Sequence, residues 1–333
     1  MRTRIAGPGR GEGMSRKIVI AIAAMEESHR ARIAAAAKKH GYEALFFDSD
    51  QSALPALTDA EIVFGQSAAL AKNSPRLRWL CTPSAGVDQF IGEGVFASTD
   101  AVLTNSSGAY GVTIAEHVVM VTLEMLRRQM DYSAIVSRRE WVRDLPVRSI
   151  KNSRITLMGT GDIGQETAAR LRAFGPASLT GINRNGRNPQ GLYDRILRQE
   201  EMDAALPKTD ILILSLPATK ETFRLLNASR LALLPDQALI VNVGRGSVID
   251  QKALEGELRR GRLTAALDVF EQEPIPPQDS LWDCPHLLIM PHVAGNMTLP
   301  YTKERIVDLF LEDFENFCAG RPLLRRVDLT VGY

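Results

Sequence analysis

Arg245, Glu273 and His292 are the residues in this chain whose types, taken together, could do chemistry on an oxygen that gains charge. Arginine offers a planar fork that matches a carboxylate and never loses its charge. Histidine gives or takes a proton near neutral pH, and a carboxylate beside it favours the imidazolium and fixes the ring. An alkoxide forming at a carbonyl needs a proton and electrostatic support as its charge develops, which this set could supply without a metal. Taken singly, each has an ordinary alternative: a helix cap for Arg245, a solvated loop acid for Glu273, a satisfied surface histidine for His292. Each, however, sits in a loop just after an apolar run, Gly244-Arg-Gly246, Glu271-Gln-Glu-Pro274 and Pro291-His-Val-Ala-Gly-Asn296. In open α/β sheets, ligands bind beyond the carboxyl ends of the strands.

A second chemical feature lies upstream. The apolar run Ile155 to Met158 leads into Gly159-x-Gly161-x-x-Gly164, then a helical pattern from Gln165 to Phe174, then a strand from Ser178 to Ile182. Strand, glycine turn and helix in this order predict a dinucleotide-binding βαβ unit, with Gly159, Thr160, Gly161, Asp162, Ile163 and Gly164 around a pyrophosphate on the helix N-terminus. An acid about 20 residues beyond the glycines accepts from the ribose 2′-OH of NAD. Here the position nineteen residues beyond Gly164 is Asn183, followed by Arg184 and Arg187. An amide does not repel a 2′-phosphate and two guanidinium groups attract one, so NADP(H) is the expected cofactor, with NAD(H) a weaker alternative.

The rest of the chain must position these loops. Its 333 residues suggest two domains. A net charge of +1, 45% hydrophobic and 24% charged residues predict a globular protein with neither nucleic acid nor membrane as partner. Basic pairs such as Arg127-Arg128 and Arg138-Arg139 read as solvated helix faces. Cys81, Cys284 and Cys318 are isolated, with no metal-ligand spacing, which argues for a reduced, cytoplasmic protein without a zinc site. Met1 to Gly13 is basic and glycine-rich without an apolar core, so it is expected to be a disordered extension before Met14 rather than a secretory signal.

From Lys17 to Ala24 onward, apolar strands alternate with helical patterns: a helix from Ser28 to His40, strands at Ala44 to Phe47, Ile62 to Phe64, Leu77 to Cys81 and Ala101 to Asn105, and a helix piece from Ala68 to Lys72. One long helix is expected from Val112 to Met130. Strands follow at Asp210 to Ser215, Ala238 to Val243, Thr264 to Asp268 and Leu287 to Met290, with helices at Glu221 to Leu234, Gln251 to Arg260 and Thr302 to Ala319. Such alternation means parallel sheets covered by helices on both faces.

Asn242-Val-Gly-Arg-Gly-Ser-Val-Ile-Asp250, Leu267-Asp-Val-Phe-Glu-Gln-Glu-Pro274 and Pro291-His292 resemble, in order and spacing, the three signature stretches of the D-isomer-specific 2-hydroxyacid dehydrogenases. The resemblance runs from Met14 to near the end and implies an α/β fold of two Rossmann-like, doubly wound parallel-sheet domains with a cleft between them. It implies a substrate domain of 14–110 plus 297–333 and an NADP-binding domain of 111–296. Arg245 matches the arginine that binds the 2-keto acid and polarises its carbonyl, His292 the acid/base, and Glu273 its carboxylate partner. Asp268 matches the residue near the nicotinamide carboxamide, and Pro217, Val243 and Gly244 fall at cofactor-facing positions. The loop from Ser84 through Ala85 and Gly86 to Asp88 matches the one whose amides hold the substrate carboxylate. The implied activity is NADPH-dependent reduction of a small 2-keto acid, of the glyoxylate or hydroxypyruvate kind, by a homodimer. The rival is a dinucleotide-responsive binding module like the C-terminal-binding corepressors; the absence of a long tail after Tyr333 counts against it. Formate dehydrogenase carries Gln where Glu273 stands. Phe64, Gln66, Tyr110, Trp141 and Tyr301 are candidates for the side-chain pocket by proximity alone.

Overall fold

The computed structural model describes residues 16–23, 25–188 and 190–330. The expected extension 1–13, the start at Met14, the strand end at Ala24 and Tyr333 lie outside them. The described residues divide into two compact units, one holding those up to Ala109 together with those from Met297 onward, the other Tyr110–Asn296.

In chain order the elements are β1 (Arg16–Ala21), α1 (Glu27–Lys39), β2 (Tyr42–Phe47), α2 (Asp50–Ala53), β3 (Ala60–Gly65), α3 (Ala68–Lys72), β4 (Trp79–Cys81) and β5 (Val102–Thr104). The second unit brings α4 (Gly111–Leu126), α5 (Gln129–Ser137), β6 (Arg154–Met158), α6 (Asp162–Arg172), β7 (Ser178–Asn183), β8 (Arg195–Arg198), α7 (Met202–Ala205) and β9 (Ile211–Leu214). It closes with α8 (Ala228–Leu233), β10 (Leu239–Asn242), α9 (Gln251–Arg259), β11 (Thr264–Leu267) and β12 (Leu287–Ile289); α10 (Pro300–Cys318) belongs to the first unit.

Both sheets are wholly parallel. The first runs β2-β1-β3-β4-β5, the second β12-β11-β10-β9-β6-β7-β8. These are the two doubly wound orders, in which the chain reverses direction across the sheet beside its first strand. In the second sheet that switch point lies between β6 and β9, where the glycine motif leaves β6.

The first unit is locked by aromatic packing. α10 buries Ile306, Phe310, Phe314 and Phe317 at three- and four-residue steps. Phe310 stacks on Phe64 at 4.3 Å and on Trp79 at 5.2 Å, and the Trp79 indole donates to Thr104 Oγ1 at 2.9 Å. Phe64 is therefore core, not pocket.

Besides the short helices α2 and α7, three stretches depart from expectation. The long helix stops at Leu126, because the Leu126 carbonyl accepts from Arg148 N at 2.8 Å and Arg128 turns left-handed at φ 57°; Met130 belongs to α5. The stretch from Glu221 is a turn up to Asn227, since the Thr222 hydroxyl bonds the Pro217 carbonyl at 2.6 Å and Leu226 N bonds Val248 O. Such local side-chain bonds compete with helix. β8 was not expected at all: its four residues, Arg-Ile-Leu-Arg, form a short edge strand whose two arginines hide the apolar pair.

The amino end of β6 is tied to β9 by Arg154, whose guanidinium donates to Asp210 at 2.6 and 3.0 Å while its backbone N–H donates at 2.7 Å. These bonds, the Arg154 side chain foremost, hold the Asp210 carboxyl below its ordinary range against the opposing effect of burial. A depressed folded pKa gives stability that is present above the unfolded pKa and lost as pH falls through the folded one. Because both side chains are about a third or more exposed, the pair is worth only ~1 kcal/mol after screening. Asp210→Asn should lower stability by about that amount at pH 7. In urea titrations the gap to wild type should close as pH drops below the ordinary carboxylate range; a gap constant with pH would contradict this.

Candidate active site

The glycine loop is shaped by contact on both sides. Gly159 takes φ 98°, and a Cβ there would stand 2.7 Å from Ser215 Oγ, across the switch point. At Gly164 a Cβ would meet the Gly159 carbonyl oxygen at 2.2 Å, so α6 can lie on β6 only without one. At Gly161, by contrast, a Cβ would meet nothing within 4 Å. The protein's own packing does not require that glycine, and the backbone there is open to a ligand.

Asp162, expected among the cofactor contacts, turns its carboxylate toward Gly111 at the start of α4, where a Cβ would stand 2.5 Å from Oδ2. Asn183 organises the turn after β7. Its amide donates to Thr160 Oγ1 at 2.7 Å and to the Arg187 carbonyl at 3.0 Å, and its oxygen accepts from Gly186 N at 2.6 Å and Asn185 N at 3.2 Å. The glycine loop and the arginine-bearing turn are thus one hydrogen-bonded piece. A hollow beside them is lined by Thr160, Gln165, Arg187, Asn188, Leu192 and Tyr193.

Arg245, Glu273 and His292 follow β10, β11 and β12, three neighbouring strands of the same sheet. Arg245 sits in a segment wedged between adjacent loops: Gly246 lies so close to Phe270 that a Cβ would fall 1.9 Å from its carbonyl carbon. Asn242 braces the segment, donating to the Arg245 carbonyl and accepting from Gly244 N, both at 3.0 Å. Val243 is buried, its N–H donating to Leu214 O. Glu273 accepts from Phe270 N at 2.9 Å through Oε1, while Oε2 lies 2.6 Å from His292 Nδ1. The ring therefore presents Nε2 to a ligand.

His292 has φ 54°, a left-handed backbone that costs a non-glycine residue on the order of 1 kcal/mol or more. Asp268 holds it there. The Asp268 carbonyl accepts from His292 N at 3.0 Å, and its carboxylate accepts from Val293 N at 2.8 Å and from Ala294 N at 3.1 and 3.2 Å. Asp268 is only 3% exposed, so its carboxylate is engaged mainly with this loop. Burial pushes its pKa up, opposed by those backbone bonds.

His117 on α4 was not expected at the site; its Nε2 lies 4.0 Å from Asp268 Oδ1, and burial lowers its pKa. Its signal was available: positions 114 and 121, on the same helix face, are both buried, and a histidine among them needs a polar neighbour.

In the first unit, the Ser84–Gly86 loop turns all three carbonyls inward. Ser84 O accepts from Ser106 N, Ala85 O from Asn105 Nδ2 at 2.8 Å, and Gly86 O from Ser84 Oγ at 2.8 Å. Among the described residues the Ala85 and Gly86 N–H groups have no acceptor, leaving two donors for an anion. Tyr110 is buried, whereas Trp141 and Tyr301 are mostly exposed and Gln66 is exposed. Among the described residues no cluster could hold a metal ion, and no helix is long and apolar enough to cross a membrane.

Residues 119–294 match the family model for the D-isomer specific 2-hydroxyacid dehydrogenase, NAD binding domain. Glyoxylate/hydroxypyruvate reductase A of Salmonella newport is 31% identical over 265 residues, covering 78% of this chain and 82% of its own. The crystal structure of a D-isomer specific 2-hydroxyacid dehydrogenase family protein from Aeromonas salmonicida superposes with a TM-score of 0.84 at 30% identity, over 95% of this chain and 100% of that one. The NADPH-dependent glyoxylate/hydroxypyruvate reductase of Sinorhizobium meliloti, solved with NADP and sulfate, gives 0.80 at 26% identity, over 96% and 100%. Sheet orders, signature loops and relatives agree: the chain belongs to the D-isomer specific 2-hydroxyacid dehydrogenase family of oxidoreductases.

Proposed function

We propose that the protein reduces a small 2-keto acid, of the glyoxylate or hydroxypyruvate kind, to the D-2-hydroxy acid with NADPH. The observation that carries this is the 2.6 Å contact of Glu273 with His292 Nδ1, in the sheet that bears the glycine loop. Bound NADPH supplies the hydride to the keto carbon. The chain's residues do the rest. His292, its ring set by Glu273, donates the Nε2 proton to the carbonyl oxygen, and Arg245 binds the 2-keto acid and polarises that oxygen. The unspent amides of Ala85 and Gly86 hold the substrate carboxylate. Asp268 positions the His292 loop and would help to hold the nicotinamide carboxamide.

The cofactor fits the residues present. The open backbone at Gly161 and the N-terminus of α6 suit a pyrophosphate. Asn183 puts no negative charge where an acid would repel a 2′-phosphate, and the S. meliloti reductase, described as NADPH-dependent, supports the choice. A homodimer suits the exposed Met120, Met130, Val136 and Trp141 on and after α4; a mass of one chain in sedimentation equilibrium would exclude it. The three free cysteines suit a cytoplasmic protein.

A panel of 2-keto acids assayed with each cofactor should show turnover, with kcat/KM higher for NADPH than for NADH; a preference for NADH would overturn the cofactor assignment, and no turnover of any 2-keto acid the activity. His292→Ala should lower kcat by on the order of 10²–10⁴. Near-full activity in that variant would rule out its role as proton donor.

A further inference from the structure

The turn that distinguishes the two cofactors has a neighbour on the adjacent strand. β7 and β8 are in register so that their last residues, Asn183 and Arg198, stand side by side at the carboxyl edge of the sheet. Gly186 lies within the turn after β7 at φ 68°, and the place where its Cβ would stand is 3.5 Å from Arg198 Cγ and 3.7 Å from Arg198 Nε. The Arg198 side chain therefore runs along the turn that carries Arg184 and Arg187. Two arginines on this turn, Arg184 and Arg187, and Arg198 beside it thus belong to one stretch of backbone that Asn183 braces.

Their charges are unequally countered. Glu221, on the loop after β9, has its carboxyl held low first by its own backbone and by Thr219, then by Arg184. Arg184 thus has an acid nearby. Among the described residues, neither the Arg187 nor the Arg198 guanidinium forms an ion pair with a carboxylate, although Glu201 Oε2 accepts from the Arg198 backbone N–H at 2.8 Å. Like charges gathered with few counter-charges repel one another, and a group with two negative charges and several acceptor oxygens placed among them relieves that repulsion.

We infer that Arg198 binds the 2′-phosphate of NADP(H) together with Arg184 and Arg187, and so sets cofactor specificity from β8. This rests on the NADPH reading above and adds to it a residue outside the segment after β7.

Titration of nicotinamide fluorescence gives Kd for NADPH and NADH without turnover, and calorimetry with 2′,5′-ADP against 5′-AMP isolates the phosphate. Loss of one charged hydrogen-bonding partner should cut the NADPH-over-NADH preference in Kd by about tenfold or more in Arg198→Ala. The affinity for 2′,5′-ADP relative to 5′-AMP should fall in step, and Arg198→Lys should lie between. Arg195→Ala removes the same charge from the amino end of β8 and should keep the preference. An unchanged preference in Arg198→Ala, or an equal loss in Arg195→Ala, overturns the assignment. The parent reading fails in a different way, by the wild type binding NADH as tightly as NADPH.

Discussion

One buried carboxylate holds the most strained part of the site. Asp268 accepts from Val293 N and Ala294 N through its side chain and from His292 N through its carbonyl, and His292 is kept at a left-handed φ of 54° as a result. Without those bonds the loop after β12 would relax toward ordinary backbone angles, and the ring would move relative to Glu273. Burying a carboxylate is unfavourable unless it is hydrogen-bonded. Here the backbone amides of the loop are the partners, with His117 approaching from α4. The cost of burial is thus offset by the same bonds that aim the proposed proton donor.

The sheet supplies the second constraint. Because β10, β11 and β12 are neighbours, Arg245, Glu273 and His292 leave the same edge although nearly fifty residues separate the first from the last. Gly246 lets the arginine's segment press against Phe270, and Gly164 lets α6 press against the glycine loop. The close approaches serve precision: backbone that cannot shift holds proposed donors and acceptors to a fraction of an ångström. The turn after β7 repeats the device with side-chain bonds, Asn183 joining Thr160 to Arg187.

Much of this was legible from residues alone. Continuous apolar runs mark buried parallel strands, and the glycine motif runs from the end of β6 into the first turn of α6. What escaped notice escaped for physical reasons. β8 is an edge strand with only two apolar residues between arginines, too short to show a period, so Arg198 had no strand to stand on. The end of α4 depends on Arg148, twenty-two residues beyond Leu126, taking the Leu126 carbonyl. His117 looked like one more residue on an apolar helix because Asp268, its neighbour in space, is far along the chain. Asp162 falls within the expected motif, at the start of α6, yet its carboxylate faces Gly111, which no local pattern reveals.

One histidine, His292, is proposed to move the proton in both directions of the reaction. The most direct test is the pH dependence of kcat/KM for 2-keto acid reduction and for D-2-hydroxy acid oxidation, measured in the wild type and in His292→Gln. A donor in reduction must be protonated and an acceptor in oxidation must not. Reduction should therefore fall, and oxidation rise, across the same single ionisation, and both limbs should vanish in the variant. Limbs that survive in His292→Gln, or that run the same way in both directions, would contradict the account.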